Sequence, residues 1–324
     1  MDFRHLRKLE EGFTVSLPTD EGGFTGRQCP DENCRGYFKI EFGTGLDGED
    51  LPCYCPYCGH VEDQSEFMTD AQERYVMSIA EREVMGAVHD TLKSMEFDIK
   101  PKGAFGIGMS MKVEKPRPTS IRHYDERELE SEVVCGNCTL RYAVYGSYAY
   151  CPDCGKHNSA QILDVNLGVV ERILALAEAH PELATQLTGD ALENVVSALD
   201  GFGRETCKVR AARAANPAKA QNVSFQNLDR ARKRISDLFG VDLAAALQPD
   251  EWTTSCRGFQ KRHVIAHKSG IVDQEYLDKT GNTSAVVGRK LAVSADEVRE
   301  LIGFARRLGQ HLVSSLPETD QGEK

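Results

Sequence analysis

The chain has 324 residues, enough for two or three domains with a sizeable core. Its 50 acidic residues against 39 basic ones give a net charge of −11, which excludes a general nucleic-acid coat. Residues 159–324 carry 21 basic against 22 acidic side chains, so nearly all the acidity lies before Ser159 and the C-terminal half can approach a polyanion. No apolar run reaches the length of a membrane span, and Met1-Asp-Phe-Arg-His-Leu-Arg-Lys8 lacks the apolar core of a signal peptide. A soluble, cytoplasmic protein with no membrane partner is expected.

Residues 1–25 are polar, with Phe3, Phe13 and Phe24 as isolated anchors, and no function is assigned to them. Nine of the 11 cysteines then fall into close-set clusters, a pattern that in the cytosol points to metal ligands rather than disulfides. Cys29-Pro-Asp-Glu-Asn-Cys34 is followed by Cys55-Pro-Tyr-Cys58-Gly-His60. The Cys-Pro-x-Cys-Gly turn aims two thiolates at one ion while backbone N–H groups can steady the sulfurs. Cys29, Cys34, Cys55 and Cys58 are the expected ligands of a first structural Zn2+, with Cys53 and His60 as spare candidates. Between the pairs, Gly36-Tyr-Phe-Lys-Ile-Glu-Phe42 alternates like a strand.

Thr69 followed by Asp70 and Glu73 caps an expected helix whose apolar stripe runs through Tyr75, Val76, Ile79, Val84, Met85, Val88, Leu92 and Met95. Its expected task is packing, and its methionines are core filler. The glycines at 103, 106 and 108 enter a strand around Met109–Val113 and no Lys-Ser/Thr follows them, so nucleotide binding is rejected there.

The second cluster is more regular. Cys135-Gly-Asn-Cys138 and Cys151-Pro-Asp-Cys154-Gly are two knuckles of one kind, joined by Leu140–Tyr150, which reads as a hairpin about Gly146-Ser147. These four cysteines are the expected ligands of a second structural Zn2+. Four thiolates leave no coordination position for water, so neither ion should be catalytic. Tyr142, Tyr145, Tyr148 and Tyr150 fit cover for a small sheet before they fit stacking on bases.

From Ser159 the pattern is helical. Apolar positions place helices at Ile162–Ala179, Leu183–Ala214 and Phe225–Phe239, the last stopped by Gly240. A fourth helix, Trp252–Lys268, is stopped by Gly270, and a last one runs from Ser294 to Leu316 with Ser294-Ala-Asp-Glu297 as its cap. On the fourth helix Trp252, Cys256, Phe259, His263 and Ala266/His267 recur at steps of four and three, the spacing of a packing seam. Arg262, His263 and His267 therefore sit on or beside a buried stripe, where they are costly unless something anionic or hydrogen-bonding meets them.

Arg262-His263-x-x-x-His267 resembles the ribonuclease motif of the HEPN superfamily: an arginine, then usually Asn, Asp or His, with a histidine four to six residues after the arginine near a helix end. The phrase from His267 through Gly270, Asp273 and Tyr276 also resembles the helix exit of many bacterial HEPN proteins. The resemblance covers about half the chain. It implies an antiparallel helical bundle, a homodimer in which two motifs face one cleft, and an RNA substrate cut to a 2′,3′-cyclic phosphate and a 5′-OH without metal.

The chemistry agrees with those residue types. Cutting RNA without metal needs a base for the ribose 2′-OH, an acid for the leaving 5′-oxygen and a fixed positive charge on the phosphorane. His267 suits proton transfer, Arg262 suits the anion, and His263, one turn before His267, can orient substrate or carry the second proton. The basic residues Arg230, Arg232, Lys233 and Arg234, with Lys261 and Lys268, are candidate phosphate contacts. The expected fold class is α+β, in four segments: tail and first zinc ribbon (1–68), helix and strand connector (69–130), second zinc ribbon (131–158) and HEPN-like bundle (159–324). The expected function is a HEPN endoribonuclease, a toxin or antiviral effector whose ribbons meet a trigger or inhibitor protein. The other reading is a bundle that binds RNA, nucleotide or a partner without cutting.

Overall fold

The computed structural model describes residues 14–48, 51–99, 109–114 and 118–316. They divide into two compact units: one holds the chain up to Gly146 together with Cys151–Gly155, the other holds Ser147–Tyr150 and everything from Lys156 onward. The fold is α+β, with sheets and cysteine clusters first and helices after.

In the first unit, β1 (Thr25–Gln28) pairs antiparallel with β2 (Tyr37–Ile40), Thr25 opposite Ile40. β3 (Pro52–Tyr54) and β4 (Val61–Asp63) make a short hairpin. Helix α1 (Asp70–Lys93) follows a capping box in which Thr69 and Gln72 satisfy each other's backbone N–H groups. β5 (Phe97–Ile99) pairs with β6 (Met109–Met111), the strand expected near residue 109; the glycines at 103, 106 and 108 lie outside the described residues.

β7 (Ser131–Val134) and β8 (Arg141–Val144) pair with each other, and β8 also pairs with β2 through Lys39–Ala143 and Ile40–Tyr142. β1 and β2 of the first cysteine-bearing segment and β7 and β8 of the second therefore lie in one sheet of order β1-β2-β8-β7, while β3 and β4 stay apart. A lone two-stranded hairpin buries too little to be stable, and joining the two lets Phe38, Ile40, Tyr142 and Val144 share one core. Both edges of β8 are thereby taken, so the hairpin expected about Gly146-Ser147 does not form. Tyr150 instead makes a single bridge with His157.

Helix α1 departs from expectation too. Its buried residues are Gln72, Ser78 and Thr91, while Met77, Val84, Met85 and Leu92 are exposed. It is anchored through polar groups at its start: Gln72 Nε2 donates to Gly26 O at 2.8 Å and to Glu126, and Ser78 Oγ accepts from Arg122 N. Of the apolar stripe read as a packing face, Tyr75, Val76, Ile79, Val88 and Met95 are half-buried, and Val84, Met85 and Leu92 are open to solvent.

The second unit is helical: α2 (Ser159–Ala179), α3 (Ala184–Val209), single turns at Ala211–Arg213 and Pro217–Ala220, then α4 (Leu228–Phe239), α5 (Pro249–His267), α6 (Gln274–Thr280) and α7 (Ala295–Ser315). On α2 the buried positions Leu163, Leu167, Val170, Leu174 and Ala177 step by four and three, one face of a helix. They meet Leu192, Val195, Leu199 and Phe202 of α3 and Leu301, Ile302, Leu308 and Leu312 of α7 in one core, to which α5 adds Trp252 and Phe259. Gly240 ends α4 in the left-handed conformation, φ +70°, and the Ser294/Glu297 capping box starts α7. α6, whose cap is Asp273, was not legible as a separate element.

Candidate functional site

Two groups of four sulfurs gather in the first unit: Cys29, Cys34, Cys55 and Cys58, and Cys135, Cys138, Cys151 and Cys154, the ligand atoms of each within 4.8 Å of one another. Sulfur–sulfur distances are 3.7 Å for Cys29–Cys58, Cys34–Cys55 and Cys135–Cys154, and 3.4 Å for Cys138–Cys151. Tetrahedral coordination at a metal–sulfur distance of about 2.3 Å sets neighbouring sulfurs about 3.8 Å apart, so both groups fit one metal ion each. The expected ligand sets are the ones brought together. Cys53 and His60 belong to neither: Cys53 is buried near Arg27, and the His60 ring faces Phe67.

Each knuckle is shaped in the same way. The residue directly after its second cysteine has positive φ: Arg35 (46°), Gly59 (74°), Thr139 (67°) and Gly155 (67°). At that bend the N–H of Gly59, Thr139 or Gly155 returns to the carbonyl of the knuckle's first cysteine, at 2.9–3.0 Å, and inside the third knuckle Asn137 N donates to Cys135 Sγ at 3.4 Å. Burial pushes the Cys29 and Cys138 thiols up to about 12, and Cys55 and Cys151 also rise. Without a cation such groups stay protonated at neutral pH, and a divalent ion is what converts them to thiolates.

The second site lies on α5, in the helical unit. Its seam holds for two turns: Trp252 and Phe259 are buried, Cys256 and His263 half-buried, and Ala266 and His267 exposed. The Cys256 thiol, pushed up to about 12 by burial and then by Asp229, leans on Asp229 Oδ1 at 3.5 Å and belongs to the packing. One turn later Lys261 and Arg262 are each only 8% exposed. Lys261 Nζ donates to Glu297 Oε1 at 2.6 Å and to Ala292 O at 3.1 Å. Arg262 has no such partner: its Nε is buried without a hydrogen bond, and among the described residues no carboxylate or carbonyl meets its guanidinium.

Arg262 opens onto a cavity of about 560 Å³ whose lining includes Arg230 and Arg234 of α4, Phe259 and His263 of α5 and Lys279 of α6. Ser224, Gln226 and Asn227, from the segment before α4, close another side. Arg230 and Arg234 carry no ion pair among the described residues, whereas Lys279 is held by Glu275 at 2.6 Å. Glu275, also in the wall, is drawn down to about 2 by Lys268 and Lys279. The cavity thus combines one buried and two exposed free guanidinium groups with a single paired carboxylate, an arrangement suited to an anion.

His263 lines the cavity and His267 does not, although their rings are 4.9 Å apart. Burial, then His267 and the lysines Lys268 and Lys279, lower the His263 pKa from its ordinary value. Of the other candidate phosphate contacts, Lys261 is committed to Glu297 and Lys268 to Asp273 and Glu275. Arg232 is bidentate to Asp242 and lies over the Trp252 ring. Lys233 is exposed and lies outside the cavity wall. Sequence reasoning missed Lys279, Gln226 and Asn227; the Asx cap that Asn227 makes to Arg230 N was the one local signal that marked that corner.

In comparisons with known proteins, no family model, no curated protein and no solved structure matches the chain.

Proposed function

We propose that the chain is a metal-independent endoribonuclease of HEPN type, acting at the Arg262 cavity. The observation that carries this reading is the buried, unpartnered Arg262 guanidinium opening onto a cavity shared with Arg230, Arg234 and His263. An arginine taken out of water without a counter-ion is expensive, and a phosphodiester would remove that cost by offering two oxygens to its fork. In the reaction, a histidine takes the proton from the ribose 2′-OH and the 2′-oxygen attacks phosphorus. Arg262 holds the charge that builds on the phosphorane, and a second protonated group gives its proton to the departing 5′-oxygen. His263, beside the cavity and shifted toward the neutral form, suits the base; His267, one turn on, suits the acid.

Pairing of two α5 ends in a homodimer would bring a second histidine set to the same cleft. In this reading the two cysteine groups each hold a structural Zn2+, and the unit that carries them meets a trigger or inhibitor protein, as expected of a toxin or antiviral effector.

A second reading is favoured by one observation: only one of the two histidines lines the cavity. A bundle that binds RNA or nucleotide without cutting needs the arginines and not the proton relay. The two separate on incubation of purified protein with total RNA in EDTA, with metal retention measured in the same sample. Cleavage to 2′,3′-cyclic phosphate ends that disappears in Arg262→Ala and falls in His263→Ala and His267→Ala supports the enzyme. Binding without cleavage, lost in Arg262→Ala, supports the second reading, and equal behaviour of wild type and Arg262→Ala removes both.

A further inference from the structure

The cavity has a second wall of a different chemistry. Asp200, on α3, is 95% buried, and its carboxylate collects the segment that precedes α4. Phe225 N donates to Oδ1 at 2.6 Å, Ser224 Oγ to Oδ1 at 3.0 Å and Gln226 Nε2 to Oδ2 at 3.4 Å, while Arg204 Nη2 reaches Oδ2 at 2.7 Å. Gly203 makes room for the same segment, since a Cβ there would lie 2.5 Å from the Phe225 ring. The sequence Asp200-Gly-Phe-Gly203 thus fixes one loop at two points, a polar clasp and an apolar notch.

The clasp also sets which way the side-chain amides of that wall face. An amide on a free surface can turn either its oxygen or its nitrogen outward. Gln226 gives its nitrogen to Asp200, so its carbonyl oxygen is left as an acceptor. Asn222 gives its nitrogen to Ala218 O, so it too presents an acceptor. Asn227 uses its oxygen to cap Arg230 N, which leaves its NH2 as a donor. All three residues line the cavity.

Sulfate could use the arginines and the Asn227 donor, but it has no proton to give the two acceptors, and inorganic phosphate has at most its own P–OH groups. A ligand that satisfies the whole lining must carry an anion for the arginines together with hydrogen-bond donors and an acceptor for the amides. The polar edge of a nucleobase has that pattern, at fixed positions, and differs from base to base.

We propose that the Asp200-held wall of Asn222, Gln226 and Asn227 is a nucleobase subsite, taking the base of the nucleotide whose phosphate rests on Arg262. Asp200 is its positioning residue: it touches no ligand and acts by holding Ser224–Gln226. This rests on the reading of the cavity as an RNA site, and its consequence is base selectivity where the arginines alone would give none.

The test uses the full chain with its metal retained. Binding is measured for four 2′-O-methyl trinucleotides, all-A, all-C, all-G and all-U, which have no free 2′-hydroxyl and so cannot be cut by this route, and for inorganic pyrophosphate. Wild type should prefer one trinucleotide over the weakest by tenfold or more, the spread expected of one well-made base contact. Gln226→Ala, a change at an exposed position, should bring the four within about twofold and leave pyrophosphate binding unchanged. Asp200→Asn should do the same if it folds, and Gln226→Ala decides the matter if it does not.

Equal binding of all four by wild type, or an undiminished spread in Gln226→Ala, overturns the subsite while leaving the phosphate site standing. Loss of both trinucleotide and pyrophosphate binding in Arg262→Leu is expected. Binding by neither probe in wild type, or no change in Arg262→Leu, overturns the RNA reading itself.

Discussion

The four-cysteine groups of the first unit and the arginine of the second bury polar chemistry in opposite ways. In the sheet unit each buried sulfur faces three others at distances set for one ion, so the site is closed on itself and has nothing left to offer a substrate. On α5, Lys261 is likewise closed, by Glu297 and a carbonyl, but its neighbour Arg262, equally buried, is left open toward a cavity. Burial therefore does not separate the two side chains; the partner does, and the proposed function rests on that difference. A closed site should fail by losing the fold, an open one by losing function.

The largest effect tests the closed half. Removing the metal from a four-cysteine group should withdraw on the order of 10 kcal/mol of folding free energy. Cys151→Ser, at a fully buried ligand, should unfold the sheet unit. Circular dichroism with metal analysis checks it, and a native sheet in metal-free protein would show that the cysteines pack without an ion.

The open half should behave in reverse. If the chain cuts RNA as proposed, Arg262→Leu should reduce cleavage by about 10²- to 10³-fold, the scale for loss of one fixed stabiliser of transition-state charge. Its melting temperature should stay level or rise, because an unpaired buried charge is gone. Lys261→Met should lower stability by about 1–2 kcal/mol, since it strands the Ala292 carbonyl and a half-exposed Glu297, and should leave cleavage nearly intact. Should the two variants exchange roles, the rule that the missing partner marks function is wrong.

How much of this was readable in advance follows the range of the interactions. The cysteine ligand sets and the caps at Thr69 and Ser294 are local patterns, and they appear where the spacing put them. Arg262 was visible through its motif. Its state was not: that Glu297, 36 residues away, takes Lys261 and leaves Arg262 is a matter of tertiary register. The apolar stripe of α1 is only partly covered, because periodicity reports an available face and not an occupied one. The shared sheet was hidden because pairing β2 with β8 joins segments about 100 residues apart.

A pH experiment sharpens the contrast in the helical unit. His157 is packed between Tyr148, its ring stacked at 6.4 Å, and Tyr150, edge-on at 4.9 Å, with Glu205 at 3.9 Å. Burial first, then Arg210 and Lys208, draws its pKa down to about 4. The unfolded chain, at about 6.5, then binds the proton more tightly than the folded one. The neutral ring's stabilisation is full above pH 6.5 and is lost as the pH falls toward 4, about 3 kcal/mol over that window. His157→Phe should flatten this part of the stability–pH curve in urea titrations, and an unchanged slope would place the proton uptake elsewhere.

The smallest effect concerns how the closed sites are built. Every knuckle needs a left-handed residue after its second cysteine, and two supply glycine there while Arg35 and Thr139 do not. At φ +67° the branched Cβ of Thr139 crowds its own backbone, a strain of about 1–2 kcal/mol that glycine would not carry. Thr139 Oγ1 returns some of that by donating to Cys138 O at 2.6 Å, and glycine also costs more to order from the unfolded chain. The balance still favours glycine, so Thr139→Gly should raise stability by roughly 0.5–1 kcal/mol, read as a shifted denaturation midpoint at saturating metal. A loss of the same size would mean that the hydroxyl contact outweighs the strain, and that this knuckle is held by its side chains as much as by its ion.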